Sequence, residues 1–379
     1  MSTSNGRRFR RWHGGAVLLV VVAIWIVAET IPFGSHAFLP DEEPRPDGEY
    51  AYQVPLDPES PWPKFRANAV QNGRSPVAPT VDPSRRPWEF RTGKGVFSSP
   101  VVDAAGTVYI GSADQTFYAI DRDGDLLWAF ETGGVIDSAA LLDDHGRVYF
   151  GTGDAHVYSL DRASGRLVWK FEADPVEVVE ARYGIDSFNV DWFEGNVAML
   201  ADGTLLAPND NFLIYAIDRD TGKKQAEYLG NELMWSLPAL NSRTGRIFSG
   251  SQYMVWRNVY AFDTETGERA WTSGGWGSNA ASPLLTSVAP NGALVIGGYD
   301  GFVRAYAQDS GKQLWKRGTR GHIYASPAQL SDGTIIQPST DGTIYALEPS
   351  TGAVKWAYDT LGPIRSSPAS ATHLGGRIW

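Results

Sequence analysis

Side chains able to bind a small molecule recur at one position of an internal repeat in this sequence. At the residue just before the start of five of the seven repeat units, the chain carries three aromatic rings, one carboxylate and one guanidinium: Phe97, Trp235, Tyr324, Asp137 and Arg365. An aromatic ring can stack on a planar ligand, and a guanidinium can bind an anion. The pattern predicts a pocket for a small molecule or a peptide, with Trp235 or Tyr324 as the stacking surface and Arg365 as the anion-binding group. The alternative is a solvated channel mouth in which Asp137 and Arg365 do not meet.

Catalytic and metal-binding motifs are not recognisable in the chain. It has no cysteine, which excludes disulfides, thiol nucleophiles and cysteine-based zinc sites. None of its six histidines has zinc-site spacing, and neither a phosphate-binding loop nor a G-x-S-x-G motif is present. We therefore predict no catalytic residue and no metal site. The formal net charge of −10 makes a nucleic acid a poor partner.

An internal repeat organises most of the chain. Six stretches align with one another, and they begin at Ser98, Ser138, Asn196, Ser236, Ala281 and Ala325. A seventh stretch begins at Ser366. Each unit reads as four short strands separated by turns, which predicts an all-β fold: a β-propeller of four-stranded blades. Seven blades are visible, and an eighth would require sequence beyond Trp379. The segment Trp88-Glu89-Phe90 is predicted to supply the outer strand of the seventh blade.

A tighter signature of the form A-x-D-x-x-x-G-x-x-x-W lies inside the repeat. Ala261, Asp263, Gly267 and Trp271 match it fully, whereas Ala226 stands where one unit should have its tryptophan. Aspartate suits a turn that needs a backbone acceptor, and glycine suits a positive φ. We predict that the tryptophans pack between neighbouring blades as structural docking residues. They are Trp128, Trp169, Trp271, Trp315 and Trp356.

The signature resembles the tryptophan-docking motif of the pyrroloquinoline-quinone (PQQ)-like β-propellers. The resemblance covers about residues 61–379, and the superfamily includes quinoprotein dehydrogenases and the non-enzymatic outer-membrane-protein assembly factor B. It implies the fold, because enzymes and scaffolds share the motif. The dehydrogenases' adjacent cysteines and calcium ligands have no match here, which favours a non-catalytic binding or assembly scaffold without a cofactor. A PQQ-dependent oxidoreductase using PQQ with Ca²⁺ and a ligand-sensing ectodomain remain as alternatives.

A long interval separates the second and third units. Residues 172–195 read EADPVEVVEARYGIDSFNVDWFEG, with an acidic face and an aromatic face. Long insertions on a propeller often bind a partner or cover a pocket. The sequence favours a partner-binding loop formed by Tyr183, Phe188, Trp192 and Phe193, with a passive packed loop as the alternative.

The N-terminal 60 residues differ from the repeats. A basic stretch (1–13) precedes an apolar segment (14–33), the pattern of a signal anchor or a signal peptide, and a proline-rich acidic linker follows (34–60). We predict a hydrophobic helix that tethers a monomeric propeller (61–379) to a bacterial inner membrane, with the propeller in the periplasm or outside. A cleaved signal would give a secreted protein instead. Within the cell envelope, the expected partner is another envelope protein.

Overall fold

Each repeat of the sequence folds into one four-stranded antiparallel sheet, which forms a blade of a propeller. The structure, a computed structural model, describes residues 53–77, 86–187, 190–252, 257–274, 278–279, 281–287 and 292–371. Within these ranges six sheets have four strands each, paired in chain order. The predicted all-β propeller is confirmed.

The blades are numbered in chain order, and each strand has between two and six residues. Blade 1 contains β2 (Val101–Val102), β3 (Val108–Gly111), β4 (Thr116–Ile120) and β5 (Leu126–Glu131). Blade 2 contains β6 (Leu141–Leu142), β7 (Arg147–Gly151), β8 (His156–Asp161) and β9 (Leu167–Glu172). Blade 3 contains β10 (Ala198–Met199), β11 (Leu205–Pro208), β12 (Leu213–Ile217) and β13 (Lys224–Leu229).

The remaining three blades repeat the arrangement. Blade 4 contains β14 (Ala239–Asn241), β15 (Arg246–Gly250), β16 (Val259–Asp263) and β17 (Arg269–Ser273). Blade 5 contains β18 (Leu284–Thr286), β19 (Ala293–Gly297), β20 (Phe302–Ala307) and β21 (Gln313–Gly318). Blade 6 contains β22 (Ala328–Gln329), β23 (Ile335–Pro338), β24 (Thr343–Leu347) and β25 (Val354–Asp359).

The seventh unit is represented by a two-stranded parallel sheet. Strand β26 (Ser370–Ala371) pairs with β1 (Arg74–Ser75), which comes from the opposite end of the described chain. Residues 372–379, where the rest of this unit would follow, lie outside the described residues. Trp88-Glu89-Phe90 does not form the predicted outer strand.

The tryptophan signature makes the same contact between successive blades. Trp271 of blade 4 donates its indole Nε1–H to the Gln308 carbonyl of blade 5, with an N···O distance of 3.0 Å. A Cβ added to Gly311 of blade 5 would lie 2.6 Å from the Trp271 ring, so only glycine fits beneath it. Four other tryptophans donate to a backbone carbonyl of a following blade in the same way: Trp88, Trp128, Trp169 and Trp315.

Two positions complete this pattern. Trp88 makes the docking contact with blade 1, although it belongs to no strand. Trp356 packs against the core of blade 6, and the turn on which it would dock follows Ala371, outside the described residues. Where Ala226 replaces the tryptophan, a Cβ on Gly267 of the next blade would meet nothing within 4 Å. The missing tryptophan therefore leaves open space between blades 3 and 4.

Residues 61–75, which we call the annular segment, follow the inner strands around the central axis. Its backbone carbonyls accept hydrogen bonds from inner-strand N–H groups of blades 1, 2, 4, 5 and 6 and of the seventh unit, in that order along the segment. The pairs, each written as the carbonyl residue and then the N–H residue, are Trp62 and Val102, Pro63 and Leu142, Ala69 and Leu240, Val70 and Leu285, Asn72 and Gln329, and Gly73 and Ser370. The Ser75 hydroxyl donates to the Pro61 carbonyl at 2.9 Å. The segment therefore closes on itself after one circuit and ties the first blade to the seventh unit.

Two buried cations hold the annular segment in place. Arg66, 1% exposed, donates to the carbonyls of Pro327 and Pro368, and Lys64 Nζ donates to the carbonyls of Phe65 and Asn68. Burial lowers the pKa of Lys64 to about 7 and that of Arg66 to about 9, since the interior disfavours the charged forms. Backbone carbonyls thus accept hydrogen bonds from both cations at this end of the channel, while Arg66 Nε has no partner among the described residues.

The folded part of the chain begins earlier than the predicted boundary at residue 61. Leu56 pairs with Asp143 of blade 2 in a β-bridge, and Asp57 forms an ion pair with Arg162. The last residues of the predicted linker therefore pack on the propeller. The predicted N-terminal helix (14–33) lies outside the described residues, and within them no helix is both long and apolar enough to cross a membrane.

Candidate functional site

One end of the central channel, opposite the annular segment, is bordered by two sets of loops, and we call this end the mouth. One set joins each outer strand to the next inner strand and carries the predicted residues. The other set joins the second and third strands of each blade. In every blade the two sets are tied by a backbone hydrogen bond; in blade 3 it runs from Asp210 N–H to the Trp192 carbonyl at 3.0 Å.

Carboxyl groups of blades 2 to 4 form an acidic sector of the mouth, which we define as Asp137, Glu194, Asp210 and Glu232 together with Trp235 and Gln252. Burial raises the pKa of Asp137. The pKa of Glu194 is also raised, mainly by burial and to a smaller extent by the negative charge of Asp137. Burial, reinforced by the charge of Glu194, raises the pKa of Asp210 to about 8, although Trp235 opposes the shift. Asp210 therefore keeps its proton at neutral pH. Burial also raises the pKa of Glu232.

Aromatic and basic groups of blades 5 and 6 and the seventh unit form a second sector, which we define as Tyr299, His322, Tyr324 and Arg365. The Tyr299 ring stacks on His322 at a centroid distance of 4.0 Å and meets Tyr324 edge-on at 5.4 Å. The Arg365 guanidinium lies over the Tyr324 ring, with its Cζ 5.1 Å from the centroid. Two predicted site residues, Tyr324 and Arg365, are thus brought into contact.

The other predicted residues of the mouth are distributed between the blades. Trp235 interacts with Asp210, and Asp137 with Glu194, so both belong to the acidic sector. Phe97 is 74% exposed in the loop that leads into blade 1. No ion pair joins Asp137 to Arg365 among the described residues, and each lies in its own sector.

Sequence reasoning missed the residues supplied by the loops between second and third strands. In the repeat alignment the middle position of this loop is occupied by Ala113, Gly153, Asp210, Gln252, Tyr299 and Thr340. Asp210 and Tyr299 therefore differ from the small residues of the first two units in a column of the same alignment. A comparison of the side chains at this one alignment position would have identified Asp210 and Tyr299 as candidate site residues.

The insertion between blades 2 and 3 packs on blade 3. It contains the helix α1 (Val176–Tyr183), which the predicted all-β fold did not include. The Tyr183 hydroxyl donates to Glu227 Oε1 at 2.6 Å, and Arg182 forms ion pairs with Glu227 and Asp174. These contacts fasten the helix to strand β13.

The predicted partner-binding residues of this insertion are placed differently from one another. Phe193 is 1% exposed and belongs to the core, so the prediction that it meets a partner is corrected. Tyr183 is half-buried against the same core. Trp192 remains 44% exposed, and Phe188 lies outside the described residues. Trp192 is thus the exposed member of the set within the described structure.

One group of side chains in the described residues has ligand atoms close enough to hold a metal ion: Asp143, Asp144 and His145. The Arg219 guanidinium lies 2.7 Å from Asp144 and 3.8 Å from Asp143, with its other nitrogen 3.3 Å from His145 Nε2. A cation of the protein itself already neutralises these carboxylates. The arrangement is therefore a structural ion pair of the turn.

Comparisons with known proteins agree with the propeller geometry. The profile of the family described as "Outer membrane protein assembly factor BamB" matches residues 77–229, 153–301 and 299–378. Among solved structures, BamB from Moraxella catarrhalis is similar, with a TM-score of 0.61 and 19% identity over 77% of this chain and 83% of that one. No curated protein matches the sequence.

Quinoprotein enzymes share the fold as well. Quinohemoprotein alcohol dehydrogenase from Comamonas testosteroni has a TM-score of 0.57 and 13% identity, over 87% of this chain and 77% of that one. A europium-containing methanol dehydrogenase has a TM-score of 0.57 and 12% identity, over 82% of this chain and 87% of that one. At such identities, these structures show a common fold.

Proposed function

This chain belongs to the family described as outer membrane protein assembly factor BamB, and from that membership we propose that it is a non-catalytic binding scaffold of the bacterial cell envelope. In this proposal, the mouth holds a protein partner. The annular segment lines the other end of the channel and buries its own side chains Lys64 and Arg66 there, which favours the mouth as the end that meets a partner. A propeller of this kind offers a rigid frame on which loop residues can recognise a partner.

The observation that carries the proposal is the set of exposed apolar and aromatic groups at the mouth. Phe97 is 74% exposed in the segment that leads into the inner strand of blade 1, and Leu361 is 97% exposed in the loop that joins the outer strand of blade 6 to β26. Tyr299, in the second sector of the mouth, is 38% exposed. Aromatic side chains dominate the energy of protein interfaces because they bury large areas with little loss of conformational entropy.

The alternative function, a PQQ-dependent dehydrogenase, requires the mouth to hold the quinone. PQQ carries three carboxylates, so its burial needs cations. The platform Trp235 lies among the carboxyls of the acidic sector, whereas Arg365 lies over Tyr324 in the other sector. The residues of the mouth therefore do not fit this cofactor.

Site-specific photocrosslinking in the producing cell tests the scaffold. A photoreactive phenylalanine analogue at Phe97 or Tyr324 is expected to crosslink to one envelope protein, because these side chains lie at the mouth. The same analogue at Tyr358 is the matched control, because this tyrosine is 55% exposed on the outer strand of blade 6. Immunoblotting of the adducts measures the result.

Titration calorimetry with PQQ and Ca²⁺ tests the alternative function as a PQQ-dependent dehydrogenase. We expect no saturable binding at tens of micromolar protein and no dye-linked oxidation of alcohols. A one-to-one isotherm that is lost in both Trp235→Ala and Arg365→Ala would overturn the scaffold and make the mouth a cofactor site. Equal crosslinking at Phe97, Tyr324 and Tyr358 would also contradict it.

The N-terminal sequence supports a membrane tether for this scaffold. The apolar segment 14–33 follows four arginines, in keeping with the positive-inside rule. We expect the full chain to stay with the membrane fraction until detergent is added, and a chain lacking residues 1–33 to be released without detergent. Recovery of a mature N-terminus near Phe38 by mass spectrometry would show a cleaved signal instead.

A further inference from the structure

The acidic sector contains buried oxygen atoms without hydrogen-bond partners. Asp137 Oδ1, Asp210 Oδ1, Glu232 Oε2 and Gln252 Oε1 are buried and accept no hydrogen bond among the described residues. Asp210 is only 2% exposed, and the Trp235 indole beside it interacts with it without completing a hydrogen bond. A buried acceptor without a donor destabilises a folded protein, so a ligand that supplies the donor is favoured at such a place.

The loops that carry these oxygens are joined to one another. Met234 N–H donates to the Asn209 carbonyl, which places the loop of Trp235 beside Asp210. Gln252 N–H donates to the Leu233 carbonyl at 2.9 Å and brings the next loop to the same place. The loop of Asp137 is joined to the loop of Glu194, since Ala139 N–H donates to Asn196 Oδ1 at 2.5 Å, and the charge of Glu194 acts in turn on Asp210.

The chemistry of these atoms defines the missing ligand. The Gln252 amide oxygen is an acceptor, and the three carboxyl oxygens are acceptors in their ionised form, so a ligand that completes them must bring N–H or O–H donors. Three belong to carboxyl groups, which favours a positively charged donor. The neighbouring Trp235 ring adds a surface that attracts cations.

We propose that the acidic sector binds an organic cation, an alkylammonium or guanidinium group whose N–H donors meet the carboxyl oxygens of Asp137 and Asp210 beside Trp235. This inference rests on the proposed binding role of the mouth and names the chemistry that it recognises. Such a group comes either from a lysine or arginine side chain of a peptide or from a free polyamine.

A bare metal ion fits the sector less well. Metal binding needs several ligand atoms within a few ångströms of one another. Asp137, Glu194 and Asp210 are described residues, yet the described structure brings such a set together only at Asp143, Asp144 and His145. An ammonium or guanidinium directs several N–H groups outward and can reach oxygens that are further apart.

Binding of the cation is coupled to proton release. Because the pKa of Asp210 is raised to about 8, its carboxyl is protonated near neutral pH, and the cation pairs best with the ionised form. The groups that act on Asp210 are Glu194, Asp191 and Trp235. Affinity should therefore rise as the pH increases towards 8 and then level off.

Titration calorimetry on the full chain in detergent tests the proposal. The probes are a capped Gly-Lys-Gly amide, a capped Gly-Arg-Gly amide, spermidine and CaCl₂, with a capped Gly-norleucine-Gly amide as the uncharged control. We expect saturable one-to-one binding of at least one organic cation with a dissociation constant below about 1 mM. Binding by the peptides identifies a side chain as the source, whereas binding by spermidine alone identifies a free amine.

Variants of the sector and a matched control decide the site. Asp210→Asn and Asp137→Asn are each expected to weaken binding roughly tenfold or more, since each removes a charged acceptor. Glu131→Gln, which removes an exposed carboxylate from the outer strand of blade 1, is expected to leave it unchanged. Asp137→Asn keeps the test valid if Asp210→Asn does not fold. Heats measured in two buffers of different ionisation enthalpy report the released proton.

Several results would overturn the proposal. These are absence of saturable binding by any of the three organic cations, equal affinity of both variants and the parent, or saturable binding by CaCl₂ alone. If the mouth still crosslinks to its partner at Phe97, the scaffold stands and only the cation site fails. If PQQ binds, the scaffold itself fails.

Discussion

Replacing Trp271 with alanine is expected to lower the free energy of unfolding by about 3–5 kcal/mol, as for other large-to-small changes of buried aromatic residues. The substitution removes the hydrogen bond to the Gln308 carbonyl and the contact with Gly311, and it exposes the neighbouring Phe248 ring 5.8 Å away. Blades 4 and 5 would lose their outer connection. Urea unfolding followed by tryptophan fluorescence and circular dichroism measures the change.

Two further variants serve as comparisons for Trp271→Ala: one removes an exposed tryptophan, and the other adds a tryptophan where the signature lacks it. Trp192→Ala removes a tryptophan that is 44% exposed, and we expect a loss below about 1 kcal/mol. Ala226→Trp places a ring in the open space above Gly267, so we expect stability to be unchanged or higher. Equal unfolding midpoints for Trp271→Ala and Trp192→Ala would refute the role of Trp271 between the blades.

Asp210→Asn is expected to reduce the pH dependence of stability by several kcal/mol. In the unfolded chain this carboxyl ionises near its usual pKa of 3.8, whereas in the folded chain it keeps its proton up to about 8. The unfolded state therefore binds fewer protons between these values, and stability falls with rising pH by up to about 1.4 kcal/mol per pH unit. Above about pH 8 both states are ionised and the loss levels off. Asparagine does not titrate, so the variant avoids this loss.

Urea unfolding at about pH 5 and about pH 8.5 measures the difference. The parent is expected to lose more stability between the two conditions than Asp210→Asn does, because only the parent has the carboxyl of Asp210 to ionise. Asp125→Asn, which changes an exposed turn residue, should behave as the parent does. The same pH dependence in the parent and in Asp210→Asn would show that Asp210 is not held protonated by the fold.

The sequence predicted the mouth only in part. The alignment identified Trp235, Tyr324 and Arg365 because they precede inner strands at a fixed offset in the repeat. It missed Asp210 and Tyr299, which come from a different loop and reach the same place only after the blades form. It also assigned Phe193, which is buried in the core, to a partner surface. The identity of an aromatic residue in an insertion does not indicate whether its side chain faces the core or the solvent.

The repeat by itself determined the fold of the blades. Alternating apolar residues, an aspartate and a glycine in the turn, and a tryptophan at a fixed spacing are local requirements of a strand, a turn and a packing contact. Each requirement is satisfied within one unit or between neighbours, so a periodic sequence specifies a periodic structure.

Only the tertiary structure decided how the ring closes and which side chains share the mouth. The annular segment is not part of the repeat and precedes it in the chain. Its carbonyls accept hydrogen bonds from inner strands that lie between Val102 and Ser370. The acidic sector gathers Asp137, Glu194 and Asp210 from blades 2 and 3, and the resulting burial raises the pKa of Asp210. Desolvation and the charge of a neighbour depend on distances between residues that are far apart in sequence, so they exist only once the blades are assembled.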